Sequence, residues 1–293
     1  AIVIGSSTQQ LLMHVSLLLR KQFSSIILEN PGYGGARSVF TLNGYDIEAI
    51  DIGQKGIEME QLEQMQSKLI YVTPSHQYPT GTTIPIHERQ QLLQWAMSHG
   101  GYIFEDDYDS EFRYKQQPIP ALASLRQDCV IYVSTFSKAF LPSLRLSYMV
   151  LPHKLLKEYQ LMFSSFEQNA SSLHQRTMAQ FIENGYWESH IRKMRAVYRQ
   201  KMQVLVQELE REFGDVIKIM GRYSGLYILV QIQTIYSESE LIEKAKEYGV
   251  KVYPTSIYYI TRQPDAVMIK LGFSNCSVEE IKQGVKLLHE AWI

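Results

Sequence analysis

The chain has 293 residues, of which 45% are hydrophobic and 20% are charged, a balance that is ordinary for a globular protein and argues against disorder. The formal net charge of -1 provides no general attraction to nucleic acid, so we do not predict DNA binding by these residues alone. No apolar run approaches the roughly 18 residues that span a bilayer, and Ala1 does not begin a signal-peptide pattern. Two cysteines without metal-like spacing fit a reducing cytoplasm. Because the chain starts without Met, we expect it to be a piece of a longer cytoplasmic protein.

Apolar runs alternate with helix-like segments over the first half of the chain, after a strand-like run at its start. The strand-like runs are residues 25–28, 45–52, 69–72, 102–104, 130–133 and 148–151. The helix-like segments include residues 8–23, 59–68 and 86–99, and the last of these has apolar residues at helical spacing. This alternation predicts an α/β fold with a mostly parallel sheet covered by helices on both faces.

The pattern changes in the second half of the chain. Residues 154–213 are almost entirely helical in pattern, with an interruption near Gly185. Short strand-like runs then return at residues 226–230, 250–253 and 267–271, with helix-like segments at 238–248 and 278–291. We therefore predict a large domain over residues 1–185, followed by a connecting helix and a smaller C-terminal α+β domain over residues 186–293.

Polar side chains that suit a phosphorylated cofactor follow two of the strand-like runs. Residues 105–112 (EDDYDSEF) follow the run at 102–104, residues 134–138 (STFSK) follow the run at 130–133, and Arg145 comes seven residues after Lys138. Strand ends are where α/β sheets hold ligands. A lysine, an acid, a phenol and a guanidinium gathered there are the groups needed to hold pyridoxal phosphate.

Each of these side chains has a predicted role. Lys138 is the Schiff-base lysine and the acid-base candidate, and its neighbours are hydroxyl-bearing or apolar, unlike those of an ordinary surface lysine. Asp106 is the candidate partner of the pyridine nitrogen and Tyr108 of the ring's phenolic oxygen, while the Arg145 guanidinium matches phosphate oxygens. The alternatives for the acidic run are a plain polar loop or a divalent-metal site at Asp106 and Asp107, because acidic clusters after strands bind magnesium.

Further contacts to the phosphate are predicted from hydroxyl-rich residues. Thr135 adds a hydroxyl near Lys138. The turn formed by Ser7, Thr8 and Gln9 stands directly before a helix-like segment, and backbone N–H groups at a helix N-terminus bind anions. As a lone motif this turn is weak evidence, because Ser and Thr in that position usually cap the helix.

Two loops after strand-like runs complete the predicted cofactor site. Residues 30–35 (NPGYGG) place Tyr33 where its ring can stack on the cofactor, with a surface-packed tyrosine as the alternative. Residues 73–81 (TPSHQYPTG) place His76 and Tyr78 where they can reach the ring oxygen, with structural hydrogen bonding as the alternative. The loops therefore add candidates for cofactor binding.

At these residues the chain resembles fold-type I pyridoxal-phosphate-dependent transferases, the aspartate aminotransferase superfamily. More closely, it resembles the aminotransferase-like domain of MocR/GabR regulators, a subfamily of GntR-type transcription factors. The segments that carry the resemblance are TPSHQ (73–77), EDDYDSEFRY (105–114), PIPAL (118–122), TFSK (135–138), LPSLR (141–145), QFIENG (180–185) and the region 272–281 that begins with GFS. The similarity runs along most of the chain and is weakest over residues 236–266.

The resemblance implies the same roles for Lys138, Asp106, Tyr108 and Arg145, with Thr135, Ser7 and Thr8 near the phosphate. It also implies a homodimer that binds DNA only through an N-terminal winged helix-turn-helix, which this sequence does not include. A further part of the cofactor domain, also outside this sequence, is expected to cover the site.

Two positions depart from the family's pattern. Ser7 stands where the family usually has glycine, which tightens the phosphate cradle. Asn275 stands where the GABA-responsive members carry an arginine for the ligand carboxylate, and a neutral amide makes a less charge-selective contact. This argues against recognition of GABA. Arg37 and Arg262 are alternative anion contacts, with an ordinary surface arginine as the competing interpretation of Arg262.

Two functions fit these residues. The first is an effector-sensing domain of a MocR-type regulator, in which Lys138 forms an internal aldimine with pyridoxal phosphate and an amino-compound effector replaces it in an external aldimine. The second is a stand-alone aminotransferase of class I/II, in which Lys138 transfers the proton in both half-reactions. Both need the same residues, so the sequence does not separate them. A metal-dependent phosphotransfer domain at Asp106 and Asp107 ranks below both.

Overall fold

The computed structural model describes residues 1–53, 56–114, 119–261 and 266–293, and the chain divides into two compact units. The first unit contains residues 1–78, 82–110 and 118–188, and the second contains residues 79–81, 111–117 and 189–293. The domain boundary predicted at residue 185 stays a prediction. Within the described residues, no helix combines the length and the hydropathy of a membrane span.

The first unit holds eight strands and eight helices within the residues described. Its strands are β1 (Ile2–Gly5), β2 (Ser25–Asn30), β3 (Asp46–Gly53), β4 (Gly56–Ile57), β5 (Leu69–Val72), β6 (Tyr102–Asp107), β7 (Val130–Thr135) and β8 (Ser147–Val150). Its helices are α1 (Thr8–Leu19), α2 (Gly34–Leu42), α3 (Met59–Glu63), α4 (Ile86–His99), α5 (Leu122–Leu125), α6 (Phe136–Ala139), α7 (His153–Met162) and α8 (Ser172–Glu183).

The strands of the first unit form one sheet in the order β1-β8-β7-β6-β5-β2-β3-β4. Strands β7, β6, β5, β2 and β3 pair in parallel. Strand β8 is antiparallel to both β7 and β1, so β1 runs in the same direction as β7. The predicted mostly parallel sheet is confirmed. Its consequence is that β1, β2, β5, β6 and β7 all end at one edge, here called the carboxyl edge.

Helices cover both sides of this sheet, as predicted. On one side, Ile103 of β6 packs in a core with Leu92 and Trp95 of α4; this is the α4 side. On the other side, Phe104 packs edge-on to Phe40 of α2, with ring centroids 5.2 Å apart, and α1 contacts α2; this is the α2 side. Because successive strand residues point to opposite faces, each position on β6 belongs to one side or the other.

Helix boundaries follow local sequence signals. Helix α4 begins after Pro85 and ends at Gly100, whose left-handed backbone (φ 64°) is the usual helix stop. Its bounds are those predicted. Helix α3 is shorter than predicted, because the chain turns after Glu63 toward β5. The predicted helical stretch after Lys154 is broken at Gly185 (φ 72°) and also between α7 and α8.

The second unit contains α9 (Tyr186–Phe213), which starts in the first unit, together with β9 (Ile217–Met220), β10 (Tyr227–Ile232), α10 (Glu238–Glu247), β11 (Tyr253–Pro254), β12 (Met268–Gly272) and α11 (Val278–Trp292). Its antiparallel sheet has the order β11-β12-β10-β9. Ser237 and Ser277 each form a capping box with a glutamate three residues later, which starts α10 and α11. Strands and helices of this kind form the predicted α+β unit.

Candidate functional site

The carboxyl edge brings the predicted cofactor-binding segments of the first unit together. The segments that follow parallel strands all emerge there, and β8 begins there because it runs the opposite way. The residues placed at this edge are Ser7, Thr8 and Gln9 after β1, Tyr33 after β2, His76 and Tyr78 after β5, Tyr108 after β6, Lys138 after β7, and Arg145 before β8.

Asp106 is the buried acid of this edge on the α2 side, since it lies two residues beyond Phe104 on β6. Its Oδ2 accepts a hydrogen bond from the Tyr71 hydroxyl at 2.5 Å. Its Oδ1 is buried without a hydrogen-bond partner among the described residues. The pKa of Asp106 is raised to about 7, chiefly by burial and also by the charges of Asp107 and Asp109, while the Tyr71 hydrogen bond and the charge of Lys138 lower it. A buried oxygen of this kind is suited to a proton-bearing, cationic partner.

Asp107 points to the α4 side and serves the fold. Its Oδ2 accepts hydrogen bonds from the hydroxyls of Tyr132 and Ser110, each at 2.8 Å. Asp106 and Asp107 therefore face opposite sides of the sheet and do not share one ion. In the part of the chain that the structure describes, no group of three or more His, Cys, Asp or Glu side chains is arranged to hold a metal.

Lys138 and Arg145 are the cations of the edge, and both are exposed. Lys138 lies in α6, close enough to Asp106 for its charge to act on that carboxyl. The hydroxyl-bearing and apolar neighbours of Lys138 do not bury it. Arg145 has a left-handed backbone (φ 49°), the one non-glycine residue with positive φ among the described residues. Such strain is concentrated at functional sites.

The predicted phosphate end contains the first turn of α1 and hydroxyls that already make hydrogen bonds. Ser7 caps α1 by accepting a hydrogen bond from the Gln10 backbone at 3.2 Å, which leaves Thr8 and Gln9 in the first turn. The Thr135 hydroxyl donates to the Leu146 carbonyl at 3.2 Å. The Thr135 hydroxyl must therefore break its hydrogen bond to Leu146 before it can donate to a phosphate.

Ser137 is a polar residue of the edge that sequence reasoning missed. Its hydroxyl is buried without a hydrogen-bond partner among the described residues, one position before Lys138. The available signal was its place in the TFSK segment, where only Thr135 and Lys138 were selected. Its hydroxyl, unlike that of Thr135, is uncommitted.

Three tyrosines form an aromatic series beside these groups. Tyr33 and Tyr78 meet edge to face with centroids 5.9 Å apart, and Tyr78 meets Tyr108 in the same way at 5.9 Å. A Cβ on Gly35 would lie 2.4 Å from the Tyr33 ring and 2.7 Å from the Gln9 amide, so the close approach requires glycine there. Burial raises the pKa of Tyr33, the charge of Asp106 adds to this effect and that of Arg145 opposes it.

His76 is fully enclosed and bonded to an acid that the prediction did not select. Its Nδ1 lies 2.9 and 3.0 Å from the two carboxylate oxygens of Asp109. The Tyr108 hydroxyl donates to the His76 carbonyl at 2.9 Å. The predicted contact from Tyr108 to the cofactor's ring oxygen stays a prediction and requires the phenol to change acceptor.

Two further buried groups escaped the sequence prediction. Tyr71, the donor to Asp106, was counted only as part of an apolar strand, although a buried tyrosine hydroxyl normally has a partner. Glu29 accepts hydrogen bonds from the Thr73 hydroxyl at 2.7 Å and from Gln77 at 3.3 Å. Burial raises the pKa of Glu29 to about 7.

The predicted anion contacts lie in different places. Arg37 is half-buried in the first turn of α2, near the carboxyl edge. Asn275 is exposed in the second unit, between β12 and α11. Arg262 lies outside the described residues. The roles of all three remain predictions.

Comparisons with known proteins place this geometry in a family. Residues 1–288 match the family described as aminotransferase class I and II. Over 292 residues the chain is 43% identical to the uncharacterized HTH-type transcriptional regulator YdeL of Bacillus subtilis, covering 99% of this chain and 63% of YdeL. Over 293 residues it is 29% identical to the probable rhizopine catabolism regulatory protein MocR of Rhizobium meliloti, covering 100% of this chain and 59% of that protein. The chain thus spans about three fifths of the length of these regulators.

A solved enzyme structure is also similar over almost the whole chain. It is the α-aminoadipate aminotransferase LysN of Thermus thermophilus, complexed with N-(5'-phosphopyridoxyl)-L-leucine. The two share 27% sequence identity with a TM-score of 0.88, covering 99% of this chain and 76% of LysN. The family match over nearly every residue, on a fold shared this closely with an aminotransferase, shows that the chain belongs to the class I and II aminotransferase family.

Proposed function

We propose that this chain is a pyridoxal-phosphate-binding, aminotransferase-like domain that senses an amino compound for a longer, cytoplasmic, MocR-type transcriptional regulator. The observation that carries the proposal is the buried Oδ1 of Asp106, which has no hydrogen-bond partner in the described part of the chain, with Lys138 and Arg145 at the same carboxyl edge. A buried acceptor without a donor fits a protonated ring nitrogen.

Different residues of the edge would bind different groups of the cofactor. Asp106 would hold the pyridine nitrogen, Lys138 the aldehyde carbon, and Arg145 with the first turn of α1 the phosphate. When bound, pyridoxal phosphate supplies an electron sink for the carbon that carries the amine. Tyr33 and Tyr78 would enclose the ring with aromatic surface.

The similarity to transcriptional regulators supports sensing by a domain within a longer protein. YdeL and MocR are both named as regulators, and each is matched over 99% or more of this chain. DNA would then be bound through a part of the regulator outside this sequence. Exchange of the amino compound at Lys138 would shift the domain between two conformations.

A second copy of the chain is the partner that we propose for the exposed apolar surface of α7, α8 and the segment that joins them. Leu161, Phe166 and Leu173 are 78%, 63% and 70% exposed, and Met178 is the buried residue of α8. A helix with so little buried surface gains little stability from its own unit. We expect Leu173→Glu to shift the chain toward monomer in sedimentation velocity. A parent chain that is monomeric at high concentration contradicts the homodimer.

A true aminotransferase is the second candidate function. It is favoured by the likeness to LysN, an enzyme whose structure holds a phosphopyridoxyl amino acid. Incubation of the loaded chain with an amino donor and a keto acid separates the two functions. Sustained turnover favours the enzyme, and a single spectral change without turnover favours the sensor.

The test of the proposal is a visible absorption spectrum of the chain with added pyridoxal phosphate. We expect a band from the lysine-bound cofactor, which disappears in Lys138→Ala and persists in the control Lys157→Ala, an exposed lysine of α7. Retention of the same band in Lys138→Ala would overturn the assignment. Screening amino compounds for a change in this band then identifies the effector class.

A further inference from the structure

His76, Tyr108 and Asp109 form a buried group at the carboxyl edge in which Asp109 has no assigned role. The side chains of His76 and Asp109 are each 2% exposed. Both carboxylate oxygens of Asp109 lie within 3.0 Å of the His76 Nδ1. Such enclosure holds the imidazole ring in one orientation.

The chemistry of the pair determines where the protons lie. An ionised carboxylate only accepts hydrogen bonds, so the Nδ1 atom of His76 must carry a proton. That atom is 3.0 Å from the Tyr108 hydroxyl, but a protonated Nδ1 does not accept a second proton. The Tyr108 hydroxyl therefore donates to the His76 carbonyl, 2.9 Å away.

We propose that Asp109 is a positioning residue of the cofactor site, which acts through His76 to aim the hydroxyl proton of Tyr108. The consequence for the cofactor rests on the proposed function. Because a protonated Nδ1 cannot accept the Tyr108 proton, that proton is held by the His76 carbonyl and can change acceptor to the cofactor's ring oxygen. The Tyr108 ring is held as well, edge to face against Tyr78 at 5.9 Å.

A simple charge effect of Asp109 on Asp106 is the competing explanation. Asp109 raises the pKa of Asp106, but Asp107 does so too. Asp107 accepts its hydrogen bonds from Tyr132 and Ser110 on the α4 side of the sheet. Asp107→Asn is therefore the matched control, because it removes a neighbouring charge and leaves the contact between Asp109 and His76 in place.

The first measurement is the protonation of His76 in the chain without cofactor. Long-range ¹H–¹⁵N correlation spectra of ¹⁵N-histidine-labelled protein distinguish the two ring nitrogens, and His76→Gln assigns the signal among the eight histidines. We expect the proton on Nδ1 in the parent chain and in Asp107→Asn, and its transfer to Nε2 in Asp109→Asn. A parent chain with the proton on Nε2 alone overturns the proposal, even if Asp109→Asn does not fold.

The second measurement connects the pair to the cofactor through a double-mutant cycle. We expect Asp109→Asn and Tyr108→Phe each to weaken binding of pyridoxal phosphate by about fivefold, the size of one neutral hydrogen bond. The double variant should be no weaker than either single variant, whereas Asp107→Asn and Tyr108→Phe should be additive. Additive losses for Asp109→Asn and Tyr108→Phe overturn the positioning role. Absence of any cofactor binding in the parent overturns the proposed function and leaves the histidine result standing.

Discussion

At the carboxyl edge, buried carboxyls on the two sides of the sheet differ in their hydrogen-bond partners. On the α4 side, both oxygens of Glu105 accept backbone hydrogen bonds, from Leu122 at 2.8 Å and Ala123 at 2.9 Å. On the α2 side, one oxygen of Asp106 accepts a hydrogen bond from Tyr71, and the other has no partner among the residues that the structure describes. Burial raises the pKa of both carboxyls to about 7.

This comparison shows that a raised pKa does not by itself identify a ligand site. Glu105 and Asp106 are adjacent in sequence and similar in burial, yet of the two, judged by the described residues, Asp106 alone has an oxygen left for a ligand. The number of hydrogen-bond partners of a buried carboxyl, rather than its raised pKa, distinguishes a structural carboxyl from one that can bind a ligand.

Replacement of Asp106 is expected to give the largest effect. Asp106→Asn should weaken binding of pyridoxal phosphate by about 10- to 150-fold, because a hydrogen bond between charged groups contributes ~1.5–3 kcal/mol. The matched control Glu105→Gln should leave binding nearly unchanged but lower the free energy of unfolding, since it removes an acceptor from α5. Titration followed by absorption and urea unfolding measure the two effects. An equal loss of cofactor binding in both variants would contradict the distinction between a binding Asp106 and a structural Glu105.

The pH dependence of stability tests the buried acids directly. The pKa of Glu29 is raised from 4.5 to about 7, so between these values the folded chain keeps a proton that the unfolded chain has released. Stability contributed below pH 4.5 is therefore lost as the pH rises through 7, by up to ~1.4 kcal/mol per pH unit for one group.

Glu29→Gln should flatten this profile, because glutamine does not titrate. Urea unfolding at several pH values between 4 and 8 measures the slope. Glu105 and Asp106 retain their own contribution to it, as burial raises the pKa of each to about 7. An unchanged slope in Glu29→Gln would show that Glu29 titrates at its ordinary value.

Removal of the Tyr71 hydroxyl is expected to give the smallest effect. The bond from Tyr71 lowers the pKa of Asp106, so Tyr71→Phe should raise that pKa further and weaken cofactor binding by about fivefold, or ~1 kcal/mol. Titration of both variants, Tyr71→Phe and Asp106→Asn, with pyridoxal phosphate, followed by absorption, compares the two losses of binding. A larger loss in Tyr71→Phe than in Asp106→Asn would mean that Tyr71 itself is the main contact.

Much of the fold followed from local patterns. Helix α4 was predicted with its observed bounds from apolar residues at helical spacing, and the structure shows Pro85 and Gly100 at its two ends. Strand β11 was predicted as residues 250–253 but is Tyr253–Pro254, since its hydrogen bonds depend on where β12 lies. Pairing between distant strands is a tertiary property that a short apolar run does not encode.

The candidate site was predicted less completely than the fold. Lys138, Asp106 and Arg145 could be selected because each residue type has a distinct chemistry and follows or precedes a strand. Tyr71, Ser137 and Asp109 could not, because their importance lies in partners that are distant in sequence or in a missing partner. The exposure of Lys138 likewise depends on what packs around α6.

The sequence by itself determined the alternation of strands and helices, and with it the edge at which the charged residues emerge. Only the tertiary structure decided that Asp106 faces α2 while Glu105 and Asp107 face α4. The physical reason is that side chains alternate along a strand, so adjacent acids are equivalent until helices cover each face. Packing then provides Glu105 with two backbone N–H donors and leaves one oxygen of Asp106 without a donor among the described residues.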